Sequence, residues 1–155
     1  AKNQDILRYD DVLLWKAEAL IELNREAEAL PIINKIRERA SNSTAKLIKS
    51  DGTPISNYNI GPYVDGVNCN WTQAYARQAL QWERRLEFAL EGSRFFDLVR
   101  WGIADVILNN YFQVETSRHA FFNVAHFQKN RNEYLPIPES EITLSRGLYK
   151  QNPGY

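Results

Sequence analysis

The stretch DVLLWKAEALIELNREAEALPIINKIRERA, residues 11–40, decides the fold. Its first part, residues 11–23, contains no glycine or proline, and its alanines, leucines and glutamates are strong helix formers. On a helical wheel, nearly the whole circumference is apolar, apart from Lys16 and a narrow strip that carries Glu18 and Glu22. We therefore predict a helix that is buried on several sides.

A second, amphipathic helical pattern follows the polar break at Asn24 and Arg25. Its apolar face is formed by Ala29, Leu30, Ile32, Ile33, Ile36 and Ala40. Because the connection is short, the two helices should be antiparallel neighbours, and we predict a helix hairpin over residues 6–40. Pro31 has no backbone N–H inside this pattern, which predicts a late helix start or a kink.

Residues 41–70 change in character and are rich in serine, asparagine, glycine, proline and aspartate. This composition predicts a long irregular loop. Loops of that length in a compact domain are usually functional or mobile.

The helical pattern returns near Thr72 and predicts a second helix hairpin over residues 72–115, with Gly92 capping its first helix and Ser93 opening the next. Prolines and glycines towards the end predict an extended C-terminal segment over residues 116–155. Two hairpins in succession indicate tetratricopeptide-like units. The predicted fold is all-α, a superhelix of helix hairpins with long irregular loops.

Composition excludes several classes of function. With 155 residues the chain suits one domain, and its 19 basic and 19 acidic residues give no net positive field for nucleic acid. The single cysteine, Cys69, excludes an internal disulfide framework. No apolar run approaches the roughly 20 residues that span a bilayer. The absence of methionine indicates a processed product or a fragment of a longer protein.

The most charged segment is ERRLEFALEGSRFFDLVRWG, residues 83–102. On the wheel of the helix that contains Glu83, the apolar stripe consists of Tyr75, Ala76, Ala79, Leu80, Trp82, Leu86, Ala89 and Leu90. Glu83 falls in the middle of that stripe, and an unpaired buried carboxylate is costly. We expect it to be buried and either paired with an arginine or neutralised. The candidate partners are Arg37, Arg39, Arg94 and Arg100.

A catalytic function for this segment is disfavoured. Glu83 and Glu87 lie one helical turn apart on the same face, whereas glycoside hydrolysis needs two carboxylates that flank the substrate. We interpret the charges instead as a structural salt-bridge network that clamps helices together. Its members are Glu18, Glu83, Arg84, Arg85, Glu87, Arg94, Asp97 and Arg100. His119 and His126 are too few for a metal site, and no phosphate-binding loop is present, so we predict no catalytic residues, metal or cofactor.

Binding is the remaining class of function. Tyr58, Tyr63, Asn68 and Trp71 lie in or beside the long loop, where flat rings could stack on a pyranose and amides could bond its hydroxyls. These four residues are the predicted ligand-binding residues. The alternative is that the rings only attach the loop to the core.

Four ordered blocks of the sequence resemble the SusD/RagB-like outer-membrane nutrient-binding lipoproteins of Bacteroidetes. They are RYDDVLLWKAEAL, ALPIINKIRERA, ERRLEFALEGSRFFDLVRWG and LPIPESEITLSRGLYKQNPGY, which together run from about Arg8 to Tyr155. The matching blocks belong to the scaffold, so the resemblance transfers no binding residues.

The resemblance implies a non-enzymatic, surface-exposed lipoprotein of the outer membrane. Such a protein would capture glycan or peptide and pass it to a SusC-like TonB-dependent transporter. The implied lipid anchor would be an N-terminal cysteine, a position that Cys69 does not match. Residues 1–155 would form the C-terminal portion of a longer protein. The helix hairpins alone also allow a peptide-binding or protein-binding adaptor of tetratricopeptide type.

Overall fold

The computed structural model describes residues 7–155, which form six α-helices and no β-sheet. The helices are α1 (Tyr9–Glu22), α2 (Glu26–Ser43), α3 (Gln73–Glu87), α4 (Arg94–Arg100), α5 (Ala104–Glu115) and α6 (Glu139–Leu144). Short 3-10 helices cover Thr44–Lys46 and Ala120–Val124. The predicted all-α fold is confirmed. No described helix combines the length and the apolar character needed to span a membrane.

Two compact units divide the chain, one ending at Ala89 and the other beginning at Leu90. The first unit contains α1, α2 and α3, and its core is built around Leu14, Ile21, Ile33 and Leu80. The second unit contains α4, α5 and α6 and has a smaller core of Leu98, Ala104 and Phe127.

The α1–α2 hairpin closes through Asn24, which adopts the left-handed conformation with a φ of 58°. The Asn24 N–H donates to the Ile21 carbonyl, and the Arg25 N–H donates to the Leu20 carbonyl at 2.8 Å. This pair of bonds is the Schellman motif, which satisfies carbonyls at the end of α1. Asparagine tolerates this conformation better than most residues, so the polar break both ends α1 and turns the chain.

Helix α1 is buried along one side only, contrary to the prediction. Leu14, Ala17 and Ile21 are fully buried, but Val12 and Trp15 are each 45% exposed. Since α1 packs against both α2 and α3 on the same side, its opposite side remains open. The predicted late start of α2 is also wrong, because this helix begins at Glu26 and includes Pro31.

Helix α3 ends earlier than predicted, at Glu87 rather than at Gly92. Phe88 follows the helix and is 3% exposed, while Leu90 has a φ of 68° and is fully exposed. Burial of the Phe88 ring therefore ends the helix before the glycine is reached. The chain after residue 134, predicted to be extended, contains the short helix α6.

The buried face of α3 also differs from the predicted apolar stripe. Trp82 is 49% exposed and Leu86 is 63% exposed, and Ala89 and Leu90 are exposed as well. Ala76, Ala79 and Leu80 of the predicted stripe are buried, as is Glu83 within it, and the remaining buried side chain is that of Arg84. The face of α3 that packs on α1 and α2 thus includes two charged residues, both of which have partners on those helices.

Candidate functional site

An irregular loop, residues 61–71, packs against α2 and leads into α3. Asn34 of α2 holds its backbone at Tyr63. The Asn34 side-chain amide donates to the Tyr63 carbonyl at 2.8 Å, and the Tyr63 N–H donates to Asn34 Oδ1 at 2.8 Å. One side chain therefore satisfies both backbone groups of a residue that has no strand partner.

Arg37, one helical turn after Asn34, contacts the same loop in two ways and also contacts α3. Its guanidinium forms an ion pair with Glu83 on α3, and its Nε donates to the Gly61 carbonyl at 2.6 Å. The guanidinium carbon also lies 4.3 Å from the centre of the Tyr63 ring. Glu83 is 5% exposed, so it is buried and paired with an arginine, as its position on the helical wheel predicted.

Tyr63 completes this cluster through its hydroxyl, which donates to Glu83 Oε1 at 3.3 Å. Burial disfavours the phenolate, and the negative charge of Glu83 disfavours it further. Together they raise the pKa of Tyr63 to about 12, against the smaller opposing effect of Arg37. The phenol therefore stays protonated as a hydrogen-bond donor through the neutral range.

Trp71 lies at the other end of the loop and is 7% exposed. Its indole N–H donates to the Glu26 carbonyl at 2.8 Å, and its ring centre lies 5.4 Å from that of Tyr63 and 5.9 Å from that of Tyr75. The faces of this indole are occupied by other side chains, which fits the alternative that the ring attaches the loop to the core.

The four predicted ligand-binding residues occupy different environments. Asn68 holds the turn of the loop, because its Oδ1 accepts from the Val64 N–H and its amide donates to the Pro62 carbonyl. Tyr58 is 38% exposed, and its side chain makes no hydrogen bond or ring contact with another described residue. Of the three predicted aromatic residues, Tyr58 alone is exposed.

A second charge cluster surrounds Glu87 at the end of α3. Glu87 forms ion pairs with Arg39 of α2 at 2.5 Å and with Arg8 at 2.9 Å. Arg84 pairs with Asp11 of α1 at 3.4 Å. The guanidinium carbons of Arg8 and Arg84 each lie 4.9 Å from the centre of the buried Phe88 ring. In the first unit these charges fasten α3 to α2 and to the start of α1.

The other members of the predicted network lie elsewhere. Glu18 is half-buried on α1, and Arg85 is exposed, with its guanidinium carbon 5.0 Å from the Trp82 ring. In the second unit, Asp97 is 4% exposed and pairs with Arg100 at 3.0 Å. Arg94 lies on the same helix, with its guanidinium carbon 5.9 Å from the Trp101 ring.

Residues 7–155 contain no group of three histidine, cysteine, aspartate or glutamate side chains that could hold a metal ion. His119 and His126 are both exposed. The His119 ring stacks on Phe121 with a centroid distance of 5.5 Å.

Comparison with known proteins assigns the scaffold. Residues 1–155 match the family model for SusD and RagB, which describes the SusD family. The chain belongs to the SusD family. It is similar to three SusD-like proteins of Formosa agariphila. Protein P2 is 29% identical over 153 residues, which cover 96% of this chain and 25% of the relative. Protein P25 is 32% identical over 158 aligned residues, which cover 99% of this chain and 25% of the relative. Protein P38 is 39% identical over 98 residues, covering 63% and 17%.

This SusD-family chain therefore spans a quarter or less of the length of the curated relatives it matches.

The final block of the chain, QNPGY, has a structural function. The Gln151 side chain accepts from the Ile137 N–H at 2.8 Å and donates to the Ile137 carbonyl at 2.9 Å. The Asn152 amide donates to the Leu135 carbonyl, and the Tyr155 hydroxyl donates to the Tyr134 carbonyl. The end of the chain thus secures the earlier segment of the same family block.

Sequence reasoning missed the side chains that hold the irregular segments. Besides Asn34 and Gln151, Asn109 of α5 bonds both backbone groups of Phe127, at 2.8 and 3.0 Å. In all three cases a carboxamide imitates a strand partner. The available signal in the SusD-family sequence was an asparagine beside apolar positions of a helix, as in PIINKI, where Asn34 follows the buried Ile33.

Proposed function

We propose that the protein to which this chain belongs is a non-enzymatic glycan-binding component of a TonB-dependent nutrient uptake system. The observation that carries the proposal is the match to the SusD family over residues 1–155. In this proposal the protein captures an oligosaccharide or polysaccharide at the cell surface. The protein then passes the glycan to a SusC-like barrel transporter in the outer membrane. A lipid anchor outside this chain holds the protein to that membrane.

The described residues support a binding function more than a catalytic one. Glu83 and Glu87, the candidate carboxylates for hydrolysis, are each engaged by arginines. Carboxylates whose oxygens are occupied by arginines in this way are not free to flank a substrate, as glycoside cleavage requires. Their ion pairs support a structural function.

Within this chain, we place the contact with glycan at the exposed part of the long loop. Tyr58 supplies a partly exposed aromatic ring there. Tyr63, Asn68 and Trp71 hold the conformation of the loop through the contacts described above. Their contribution to binding is therefore to shape the loop, and direct stacking is assigned to Tyr58.

Calorimetry of the full-length protein with soluble starch, xylan, a mannan and a β-glucan tests the proposal. We expect at least one of them to bind without release of reducing ends, and we expect Tyr58→Ala to weaken that binding. The matched control is Tyr134→Ala, which removes another exposed ring, 52% exposed, in the second unit. Hydrolysis of a bound polysaccharide would contradict the non-enzymatic part, and lack of binding to any glycan would contradict the rest.

A peptide-binding adaptor is the second candidate function. Helix α1 exposes Tyr9, Val12 and Trp15, which are spaced by three and follow one side of the helix. An apolar row of this kind could receive the apolar side of a peptide helix. Binding of a peptide library that is abolished by Trp15→Ala but retained by Tyr58→Ala would favour this function over glycan capture.

A further inference from the structure

The conformation of the 61–71 loop depends on very few side chains. The loop contains no helix or strand, and its one backbone bridge, between Asp65 and Cys69, lies inside the loop itself. Its first half is attached to the helices through Gly61 and Tyr63. Those attachments are made by Asn34, Arg37 and Glu83.

The C-terminal end of the loop is attached independently. Trp71 is anchored by its bond to the Glu26 carbonyl, and the next residue, Thr72, caps α3 by accepting from the Tyr75 N–H. These anchors begin only at Trp71, and Cys69 is bridged to Asp65 in the earlier part of the loop, so removal of the first attachments would free residues 61–70 while the chain stays fixed at Trp71. The helices could then stay packed while the loop opened.

We propose that Asn34, Arg37 and Glu83 are positioning residues that hold the 61–71 loop against α2 and α3 and thereby set the affinity of the glycan contact at Tyr58, which precedes the loop closely in sequence. The inference rests on the proposed function for its glycan part. Opening and closing of the loop, by contrast, is a property of this chain alone. Glu83 acquires a defined function from this geometry, since the most distinctive family block supplies the carboxylate that holds both Arg37 and Tyr63.

Two features make the attachment specific. The Asn34 carboxamide must supply a donor and an acceptor at once, so neither aspartate nor leucine can replace both of its bonds. Arg37 uses separate nitrogens for Glu83 and for the Gly61 carbonyl. Lysine has a single ammonium group and cannot reproduce that fork.

The chain carries a native reporter of loop opening. Cys69 is the only cysteine of the sequence, lies within the loop and is half-buried against the core of the first unit. Its rate of reaction with dithionitrobenzoate depends on how often the loop exposes the thiol. No substitution is needed to introduce the probe.

The experiment compares the wild-type chain with Asn34→Ala, Arg37→Lys and a matched control, Asn109→Ala. The control removes the same kind of carboxamide bridge, but in the second unit and far along the chain from Cys69. We expect Asn34→Ala to accelerate the reaction about tenfold, the order that corresponds to two net hydrogen bonds. Arg37→Lys should accelerate it also, and Asn109→Ala should leave the rate unchanged.

Local opening is separated from global unfolding by the dependence on urea. An opening confined to the loop exposes little surface, so the accelerated rate should be almost independent of urea at low concentrations. If Asn34→Ala does not fold, Asn34→Asp provides the same test. It keeps the acceptor for the Tyr63 N–H and loses only the donor to the Tyr63 carbonyl.

An unchanged Cys69 rate in both loop variants would overturn the inference. An acceleration that follows global unfolding in its urea dependence would overturn it as well. The glycan part is read from the soluble polysaccharide that the wild-type protein binds, for which Asn34→Ala should raise Kd and Asn109→Ala should not. If the wild type binds none of the four polysaccharides, the proposed function fails, while the Cys69 rates still decide whether these residues hold the loop.

Discussion

Arg37 and Glu83 form a buried ion pair between α2 and α3, across 46 positions of sequence. The pair is also the point at which the 61–71 loop meets the helices, because Arg37 bonds the Gly61 carbonyl and Glu83 accepts from the Tyr63 hydroxyl. Helix packing and loop conformation are therefore coupled through these two side chains.

Glu83→Ala should lower the free energy of unfolding of the chain by about 3 kcal/mol. This value is the lower end of the range of about 3–5 kcal/mol for removal of one partner from a buried ion pair. The lower end applies because 18% of the Arg37 side chain remains exposed, so the abandoned guanidinium keeps some contact with water. Urea unfolding followed by circular dichroism measures the change. Glu28→Ala breaks the exposed pair with Arg25 and should leave the urea midpoint unchanged. Equal effects of the two substitutions would contradict the structural function of Glu83.

Tyr63 should make the chain less stable at alkaline pH. Its pKa is raised to about 12 in the folded state, whereas an unfolded tyrosine titrates near 10. The contribution of Tyr63 is therefore intact below about pH 10 and is lost as the pH rises towards 12. Urea midpoints measured at intervals across this window should fall more steeply for the wild type than for Tyr63→Phe, which retains every other tyrosine. Parallel curves would show that Tyr63 does not carry the effect.

Gly154→Ala should destabilise the C-terminal block more than Gly147→Ala does. Both glycines have φ values near 85°, which strains any L side chain by about 1 kcal/mol or more. A Cβ on Gly154 would also lie 2.9 Å from Cγ and Cδ of Arg131, whereas a Cβ on Gly147 meets nothing within 4 Å. We expect a loss of about 1 kcal/mol for Gly147→Ala and at least about 2 kcal/mol for Gly154→Ala. Thermal unfolding of the two variants gives the comparison, and a smaller loss for Gly154→Ala would refute it.

Gln151→Ala should release the segment around Ile137 by removing both of its side-chain bonds. The expected cost is about 1–2 kcal/mol. Gln151→Glu should not rescue the loss, because it would direct a carboxylate at the Ile137 carbonyl in place of the amide donor. Hydrogen exchange at the Ile137 amide measures the release directly. Protection of that amide in Gln151→Ala equal to the wild type would show that other contacts hold the segment.

Local pattern was sufficient for most of the helices and for one key side chain. Apolar spacing and polar breaks were enough to predict the first helix hairpin, the start of a new helix near Ser93 and the burial of Glu83. These signals act within a few residues. The end of α3 was misplaced because Phe88 is buried by packing against Arg84 and also against Arg8, which lies far earlier in the sequence and outside the range of local signals. The exposure of Trp82 and Leu86 has the same origin, since the buried face of α3 is rotated towards its charged partners.

The sequence by itself determined that this chain is helical, that it resembles SusD-like proteins and that Glu83 is buried and must be either paired with an arginine or neutralised. Only the tertiary structure decided which cation pairs with Glu83, since four arginines were equally possible until α2 and α3 were brought together. Tertiary structure also decided that Trp71 is covered while Tyr58 remains open. Helix formation depends on neighbours three or four positions away, whereas the pairing of a carboxamide or guanidinium with a distant backbone depends on how the whole chain packs.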